Sequence, residues 1–422
     1  MPEQLKRPQG VDAGTPVRIR QDVSEMLLRI RRGGEPVVRE YSERLDGWNP
    51  PSFLVEPSPA SGSAVGEELR AHIDFALRQV RGFARAQRST LTDLRVEPLP
   101  GVVLGHRHVP VDAVGAYVPG GRYPMLASSF MTIAVAKEAG VRHVVGCAPP
   151  RGGTGVNPVM LHAMSASGAD QILCLGGVQG LASLAFGLCG VEPVDMLVGA
   201  GNAYVAEAKR QLFGEVGIDL LAGPTEVLVI ADADADAELV APDLLGQAEH
   251  GPTSPAVLVT TSRELGEAAI AAVDRLLDGW PTAAVAREAW RDHGEVLVVE
   301  DRQEALAVSD ARAPEHLEVH AADPAWWRKR LRNYGSLFLG DSTVAYGDKA
   351  VGTNHVLPTG RAARYTGGLW VGKFLKTLTY QELTPEGTRA VAPAVAAISH
   401  AEGFGGHAIT AEMRLARAEA GK

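Results

Sequence analysis

Short apolar runs alternate with amphipathic segments along most of the chain. Apolar stripes with a helical period occur at 23–30 and 69–83, so the first hundred residues are predicted to be mainly helical. From Ala113 onward, β-branched runs alternate with alanine-rich segments, and that order predicts parallel strands joined by crossover helices. The predicted strands are 113–118, 143–146, 171–175, 195–198, 226–230, 256–260, 295–299 and 336–339.

Two such series predict an α/β protein with two incomplete Rossmann-like, doubly wound domains that share a cleft, plus small helical segments at both termini. The strands are expected to stop after about Trp370, before a helical tail. The predicted divisions are an N-terminal arm at 1–16, one α/β domain at 17–117 and 227–369, a second at 118–226, and a C-terminal helical domain at 370–422.

Composition narrows the function classes. The chain has 422 residues, 45% of them hydrophobic, and a net charge of -9 without a basic run, which argues against nucleic acid as a partner. No apolar stretch reaches the roughly 18–20 residues of a membrane span, and the first residues lack a signal-peptide core, so we expect a cytoplasmic protein. Cys147, Cys174 and Cys189 lie among apolar residues and are expected to be reduced packing residues.

Gln247 and His250 stand one helical turn apart at the end of an apolar helix. An amide oxygen and an imidazole at this spacing can supply half of a metal shell. An ordinary helix-end pair has the same spacing, so this motif alone leaves both interpretations open.

Three further segments carry chemical groups. Glu315 and His316 follow a proline and have the composition of an acid–base pair, although a Glu-His pair is also common without function. The glycine-containing stretch 346–359 is predicted to be a site loop, and the tail segment 401–408 adds another Glu and His.

Glycine-rich turns at 175–180 and 199–202 follow predicted strands and open predicted helices. Such turns let a phosphate approach backbone N–H groups, but they also serve tight packing, so nucleotide binding stays open at this point. In the turn 118–124, Arg122 is either a clamp for an anionic group or a solvated loop arginine.

Together these segments resemble the histidinol dehydrogenase family, from about Val23 to Arg414. The resemblance rests on Asp-Leu-Leu-x-Gln-Ala-Glu-His, Pro-Glu-His-Leu, Gly-Thr-Asn-His-Val-Leu-Pro-Thr and Ala-Glu-Gly-x-x-x-His, in the family's order and spacing. It implies one zinc ion per subunit on Gln247, His250, Asp348 and His407, and Glu315 and His316 as the catalytic pair. It also implies substrate contacts from Thr225, His355 and Glu402 in addition to Gln247, His250, His316, Asp348 and His407, and NAD binding by Tyr117, Gln179 and Asn202.

The resemblance further implies a homodimer, in which the tail carrying Glu402 and His407 reaches into the partner's site. The implied reaction oxidises an alcohol through a bound aldehyde to a carboxylate by two hydride transfers to NAD. Zinc would polarise the alcohol oxygen, His316 would take its proton, and Glu315 would activate water.

Departures from the family pattern bear on the substrate. Thr225, Ala200 and Gly251 replace the usual Ser, Pro and Asp, and Arg122 and Lys349 add positive charge near the expected pocket. These features, with the segment 364–373, resemble the branch that oxidises sulfopropanediol (2,3-dihydroxypropane-1-sulfonate). An anionic substrate is therefore expected, with Arg122 as a contact; the alternative is L-histidinol, a cation, oxidised to L-histidine. A catalytically silent nucleotide-binding protein is a remote alternative, since such a relative would be expected to lose part of the zinc and acid–base set, and none is lost.

Overall fold

The computed structural model describes residues 2–10, 17–57, 65–121 and 123–421. Within these residues, the strands are β1 (Glu3–Lys6), β2 (Leu54–Val55), β3 (Leu94–Leu99), β4 (Val102–Pro110), β5 (Ala113–Tyr117), β6 (His143–Ala148), β7 (Gln171–Cys174), β8 (Met196–Val198), β9 (Gly217–Ile218), β10 (Val227–Ala231), β11 (Ala256–Thr260), β12 (Gly294–Val298), β13 (His316–His320), β14 (Ser336–Leu339) and β15 (Leu375–Leu383). The α/β class predicted from the sequence is confirmed.

The helices cover the sheets on both faces. They are α1 (Val17–Gly33), α2 (Glu35–Asp46), α3 (Glu67–Ser89), α4 (Leu126–Ser129), α5 (Val135–Ala139), α6 (Pro158–Ser167), α7 (Gly177–Phe186), α8 (Ala203–Leu212), α9 (Ala237–Ala248), α10 (Arg263–Leu277), α11 (Ala283–His293), α12 (Arg302–Arg312), α13 (Pro324–Arg330), α14 (Val344–Lys349), α15 (Pro385–Ala401) and α16 (Gly405–Glu419). A π-helical turn, Phe130–Ala134, joins α4 to α5. Of the helices described, none is both long and apolar enough to cross a membrane.

The first six-stranded sheet has the order β2-β7-β6-β5-β8-β9, parallel except for β2. Its central strands are almost entirely apolar because helices cover both faces. One core contains α3 to α6, and the other contains α1, α2, α7 and α8.

The second six-stranded sheet has the order β1-β12-β11-β10-β13-β14, parallel except for β1. Helices α9, α10 and α11 pack on one face, while α12 and α13 lie over the other. Val227, the first residue of β10, lies opposite His316, the first residue of β13. This register places the residues just before the two strands side by side.

Strand pairing groups the chain differently from the predicted division. The prediction joined 17–117 to 227–369, but α1 to α3 pack on the first sheet, and β5 is one of its central strands. By packing, 17–117 therefore belongs largely with 118–226. The apolar stripe of a helix shows that the helix is covered, but it does not show which sheet covers it. In the predicted N-terminal arm, β1 pairs with β12, while 11–16 lie outside the described residues.

A third sheet, β15-β4-β3, is antiparallel and carries the hairpin of α15 and α16 at its end. The expectation that strands stop after about Trp370 is wrong, because β15 pairs with β4 along its whole length, from Leu375 opposite Pro110 to Leu383 opposite Val102. β-Branched and aromatic residues in 377–380 favour a strand there. The helical tail begins only after β15, at α15.

Candidate active site

Side chains from three elements meet at the amino ends of β10 and β13. Glu315 and His316 stand at the start of β13, Gln247 lies in the last turn of α9, and Asp348 lies in α14. Helix α9 packs against both β10 and α14, which brings Gln247 and Asp348 to this edge of the sheet. Thr225 joins them because it directly precedes β10, beside Glu315.

The hydroxyl of Thr225 links Glu315 to Gln247. Thr225 Oγ1 donates to Glu315 Oε2 at 2.6 Å, and Gln247 Nε2 donates to Thr225 Oγ1 at 2.6 Å. Because a hydroxyl has one proton and Thr225 gives it to Glu315, the Thr225 oxygen accepts from the NH₂ group of Gln247. The other amide atom, Gln247 Oε1, is buried and has no hydrogen-bond partner.

Gln247, His250 and Asp348 offer an amide oxygen, an imidazole nitrogen and a carboxylate, which are donor types that zinc accepts. Burial lowers the pKa of His250, so its ring is neutral, as a ligand must be. Burial alone would raise the pKa of Asp348, but the neighbouring His316, His355 and Lys349 hold it below its usual range. The unpaired Gln247 Oε1 is the observation that fits a metal, since a buried amide oxygen without a partner is costly.

Glu315 and His316 are buried side by side and have shifted pKa values. Burial raises the pKa of Glu315 to about 7. Burial would lower the pKa of His316, but the carboxylates of Glu315 and Asp348 raise it to about 9. His316 Nδ1 donates to the carbonyl of Glu226 at 3.0 Å, whereas Nε2 is buried, has no hydrogen-bond partner and lies 3.6 Å from Asp348 Oδ1. Nε2 is therefore the nitrogen available to exchange a proton with a bound molecule.

His355 joins this site to the first sheet. Its Nδ1 lies 3.0 Å from the carbonyl oxygen of Asp348, and its Nε2 lies 3.3 Å from Ser128 Oγ, in α4. The amide of the preceding Asn354 donates to the carbonyl of Met131 at 2.8 Å. His355 thus lies where the helices of the first sheet meet the site loop.

Tyr117, Gln179 and Asn202 lie at the carboxyl ends of three strands of the first sheet. Tyr117 is the last residue of β5, Gln179 follows β7, and Asn202 follows β8. The Tyr117 hydroxyl accepts from Gly177 N at 3.1 Å, and Gln179 lies in the first turn of the same helix. Gln179 Nε2 donates to Asp46 at 2.9 Å, which leaves Oε1 buried and unpaired.

Asn202 has a structural task, because its side chain caps α8 by accepting from the backbone N–H groups of Tyr204 and Val205. The preceding turn approaches β5 closely: a Cβ atom on Gly199, whose φ is +110°, would lie 2.2 Å from the carbonyl oxygen of Tyr117. Among the described residues, no hydrogen bond or ion pair joins Tyr117, Gln179 or Asn202 to Glu315 or His316.

Glu402 and His407 are not brought to the other site residues within one chain. Both are exposed, at the junction of α15 and α16, and the His407 ring packs edge-on against Phe404. Over the described part of the chain, no hydrogen bond or ion pair links either residue to Gln247, His250 or Asp348.

Of the two positive charges singled out in the sequence, Lys349 lies at the site. Its Nζ is 3.5 Å from Asp348 Oδ2, and its side chain is 59% exposed. Arg122 lies outside the described residues, so its predicted contact with an anion stays a prediction.

Sequence reasoning missed a second polar cluster, formed by Asp243, Glu318 and His320. A signal was present: polar residues at 316, 318 and 320 share one face of a strand that is otherwise apolar. In addition, Asp243 stands one helical turn before Gln247.

Comparison with known proteins agrees with the fold and the motifs. The family model described as histidinol dehydrogenase matches residues 12–415. A histidinol dehydrogenase homolog of Shouchella clausii is 51% identical over 95% of each chain, and a sulfopropanediol 3-dehydrogenase of Ruegeria pomeroyi is 50% identical over 94% of this chain and 93% of its own.

The crystal structure of a histidinol dehydrogenase from Elizabethkingia anophelis matches with a TM-score of 0.91 and 30% identity, over 97% of this chain and 94% of that one. The fold and these relatives define the class as dehydrogenases that act on CH–OH groups. Within that class, the chain belongs to the histidinol dehydrogenase family.

Proposed function

We propose that this chain is a zinc- and NAD-dependent dehydrogenase that oxidises a small anionic primary alcohol through a bound aldehyde to the carboxylate. The favoured substrate is 2,3-dihydroxypropane-1-sulfonate. The main support for this reaction type is the hydrogen-bonded chain from Glu315 through Thr225 to Gln247. It leaves Gln247 Oε1 buried and without a hydrogen-bond partner, beside the acid–base pair.

Gln247, His250 and Asp348 would hold the metal from one chain, and His407 of a second copy would complete the set. When bound, zinc supplies a Lewis acid that polarises an alcohol or carbonyl oxygen. A zinc ligand must be deprotonated, and both the neutral ring of His250 and the anionic carboxylate of Asp348 meet this requirement.

His316 would take the proton of the substrate alcohol at Nε2, because Nδ1 is held by the carbonyl of Glu226 and Nε2 has no hydrogen-bond partner. Asp348 helps to raise the pKa of His316 to about 9, and a metal ion held by that carboxylate would offset its charge and favour the neutral ring that can accept the proton. Glu315 would take a proton from the water that adds to the aldehyde. A carboxyl with its pKa raised to about 7 by burial is suited to proton transfer at neutral pH. Thr225 holds this carboxyl in place.

NAD would bind along the carboxyl ends of the first sheet and accept the hydride. Tyr117 and Gln179 would line this site beside the Gly177 turn, where helix α7 begins. Asn202 would contribute while it caps α8, since its oxygen already accepts two backbone N–H groups.

A second copy of the chain is needed to complete this site. Apolar side chains are exposed on the module of the third sheet and its hairpin; they include Leu94, Val96, Leu378, Ile398, Ile409 and Met413. Such a concentration of exposed apolar residues is typical of a surface that another chain covers. Packing of this module against a partner would also carry Glu402 and His407 into the partner's site.

Charge favours an anionic substrate over histidinol. The exposed ammonium group of Lys349 stands beside the site, and the sequence adds a second cation, Arg122, in the predicted turn 118–124. Cations attract a sulfonate and repel the positively charged amine and imidazole of histidinol. The 50% identity to a sulfopropanediol 3-dehydrogenase, against 40% to a histidinol dehydrogenase of Gluconobacter oxydans, points the same way. L-histidinol is the second candidate, because family membership is compatible with either substrate.

The test is NADH formation by purified protein with 2,3-dihydroxypropane-1-sulfonate, L-histidinol and uncharged small diols, after metal analysis. We expect about one zinc per chain, turnover of the sulfonate and release of two NADH per alcohol. Arg122→Ala should raise the KM for the sulfonate with little change for an uncharged diol, and His316→Ala should abolish turnover while zinc is retained. Protein without zinc would contradict the metalloenzyme, and far more efficient use of L-histidinol would contradict the anionic substrate.

A further inference from the structure

Asp243, Glu318 and His320 form a buried cluster that the proposed reaction does not use. His320 Nε2 lies 3.4 Å from Asp243 Oδ2 and 3.5 Å from Glu318 Oε2. The side chain of Glu318 is fully buried, and those of Asp243 and His320 are only 16% and 14% exposed. An imidazolium between them neutralises two carboxylates that would otherwise repel each other in a poorly solvated place.

The other oxygens of these carboxylates hold the amino end of α14. Thr343 Oγ1 donates to Asp243 Oδ1 at 2.8 Å, and the backbone N–H of Val344 donates to Glu318 Oε1 at 2.6 Å. Thr343 is the N-cap of α14, and Val344 is its first residue. The free N–H groups and positive end of a helix favour carboxylates at this position.

Each element joined by the cluster also carries a member of the site. Asp243 stands one helical turn before Gln247 in α9. Glu318 follows His316 by two residues in β13 and points to the same face of the sheet.

Asp348 follows in α14, whose amino end the two carboxylates hold. We propose that Asp243, Glu318 and His320 are positioning residues that brace α9, β13 and α14, and so fix Gln247, His316 and Asp348 relative to one another. This inference rests on the proposed function, because its consequence is tighter metal binding.

The protonation of His320 agrees with this role. Hydrogen bonding to Asp243 and then to Glu318 raises the pKa of His320 to about 9 in spite of burial, so the ring is charged at neutral pH. A neutral side chain of similar size at this position would leave the two carboxylates without their shared cation.

The test compares His320→Gln and Glu318→Gln with wild type and with a matched control, Glu295→Gln. Glu295 is also a buried carboxylate of the second sheet, with its side chain 8% exposed, and it pairs with Arg312 at 2.7 Å on β12, which carries no site residue. For each protein, zinc affinity is measured by chelator competition, the visible absorption of the Co²⁺-substituted form is recorded, and global stability is measured by urea unfolding.

We expect His320→Gln and Glu318→Gln to weaken zinc binding about 10- to 100-fold, the usual effect of losing a residue that orients metal ligands, and to alter the Co²⁺ spectrum. Glu295→Gln should lose stability without either change. If His320→Gln does not fold, Glu318→Gln gives the same comparison.

Zinc affinity and Co²⁺ spectra equal to wild type in both brace variants would overturn the inference and leave the proposed function standing. A wild-type chain that binds two zinc ions, of which His320→Gln loses only the second, would also overturn it, because the cluster would then be a metal site. A wild-type chain that binds no zinc would overturn both the inference and the metalloenzyme.

Discussion

At the scale of single residues, Thr225 contacts both a candidate proton-transfer group and a candidate metal ligand. Its hydroxyl donates to Glu315, the candidate base for water, and accepts from Gln247, a candidate metal ligand. An amide can turn either of its two ends toward a neighbour, and here the direction of one hydroxyl proton selects which end of Gln247 remains free. The proton-transfer group and the metal set are therefore coupled through a single side chain.

Thr225→Val should test this coupling, because valine has a similar shape but no hydroxyl. The Gln247 amide would lose the contact that orients it, and we expect zinc affinity to fall roughly 10-fold, at the lower end of the effects seen when ligand-orienting residues are lost. Thr225→Ser retains the hydroxyl and should stay near wild type. Both values come from chelator competition; equal affinities for the Val and Ser variants would contradict the role assigned to the hydroxyl.

Much of the candidate site could be predicted at this scale. Gln247, His250, Glu315 and His316 belong to motifs whose spacing within a helix or at a strand end is readable in the sequence. The carbonyl of Glu226, which holds His316, could not be predicted, because every residue has a carbonyl and only the register of β10 and β13 brings this one to the ring.

At the scale of elements, three segments far apart in the chain are held together behind the site. Helix α9, strand β13 and helix α14 each have a polar group in the cluster of Asp243, Glu318 and His320. The alternation of polar and apolar residues along β13 is visible in the sequence. The contact between Asp243 and His320 could not be predicted from it, because that contact depends on how α9 packs beside β13. Long-range pairing also explains why β15 was missed, since its partner β4 lies more than 260 residues earlier.

The cluster of Asp243, Glu318 and His320 should make the free energy of unfolding depend on pH. The pKa of His320 is raised from 6.5 to about 9 by Asp243 and Glu318, which face it from α9 and from its own strand. A raised histidine pKa stabilises the fold fully below the unfolded value of about 6.5, and this contribution is lost as the pH rises through about 9. A change in pKa from 6.5 to about 9 corresponds to roughly 3.4 kcal/mol, and partial solvent screening of the ring reduces the expected loss to the order of 2–3 kcal/mol.

The measurement is urea unfolding of the metal-free protein between pH 6 and 10, for wild type and His320→Gln. Wild type should lose more free energy of unfolding across this interval than the variant does. Parallel pH profiles would show that the charged ring contributes nothing to stability.

At the scale of the whole molecule, the described part of one chain does not bring together every group that its proposed site requires. Glu402 and His407 are exposed on the hairpin of α15 and α16, which is carried by the third sheet. Parts of this module's surface are apolar. The family resemblance assigned both residues to a partner's site, and their place in the fold is compatible with this, although the dimer itself stays a prediction.

Mixed dimers distinguish a shared site from a site within one chain. His250→Asn and His407→Asn should each be inactive alone, because each removes a proposed metal ligand from both sites. A dimer containing one copy of each variant would have one intact site, formed by the unchanged His250 of one chain and the unchanged His407 of the other. We therefore expect purified mixed dimers, separated by different affinity tags, to show about half of wild-type turnover, as independent additive sites require.

Inactive mixed dimers would place both histidines in the site of the same chain. As a control, a dimer that combines wild type with a chain carrying both substitutions should also have no intact site if the tails are exchanged, whereas it would keep one if they are not. The two arrangements thus give opposite results in the two mixtures.

The short strand β1 has a practical consequence for handling the protein. It pairs antiparallel with β12, from Glu3 opposite Val298 to Lys6 opposite Val296, and so covers the margin of the second sheet. Loss of residues 3–6 through truncation or proteolysis would leave the backbone N–H and C=O groups of β12 open beside apolar side chains, which is a template for self-association. Aggregation of a clipped preparation would then begin at the sheet margin and not at the candidate site, and the resulting loss of soluble protein would be mistaken for a loss of catalytic activity.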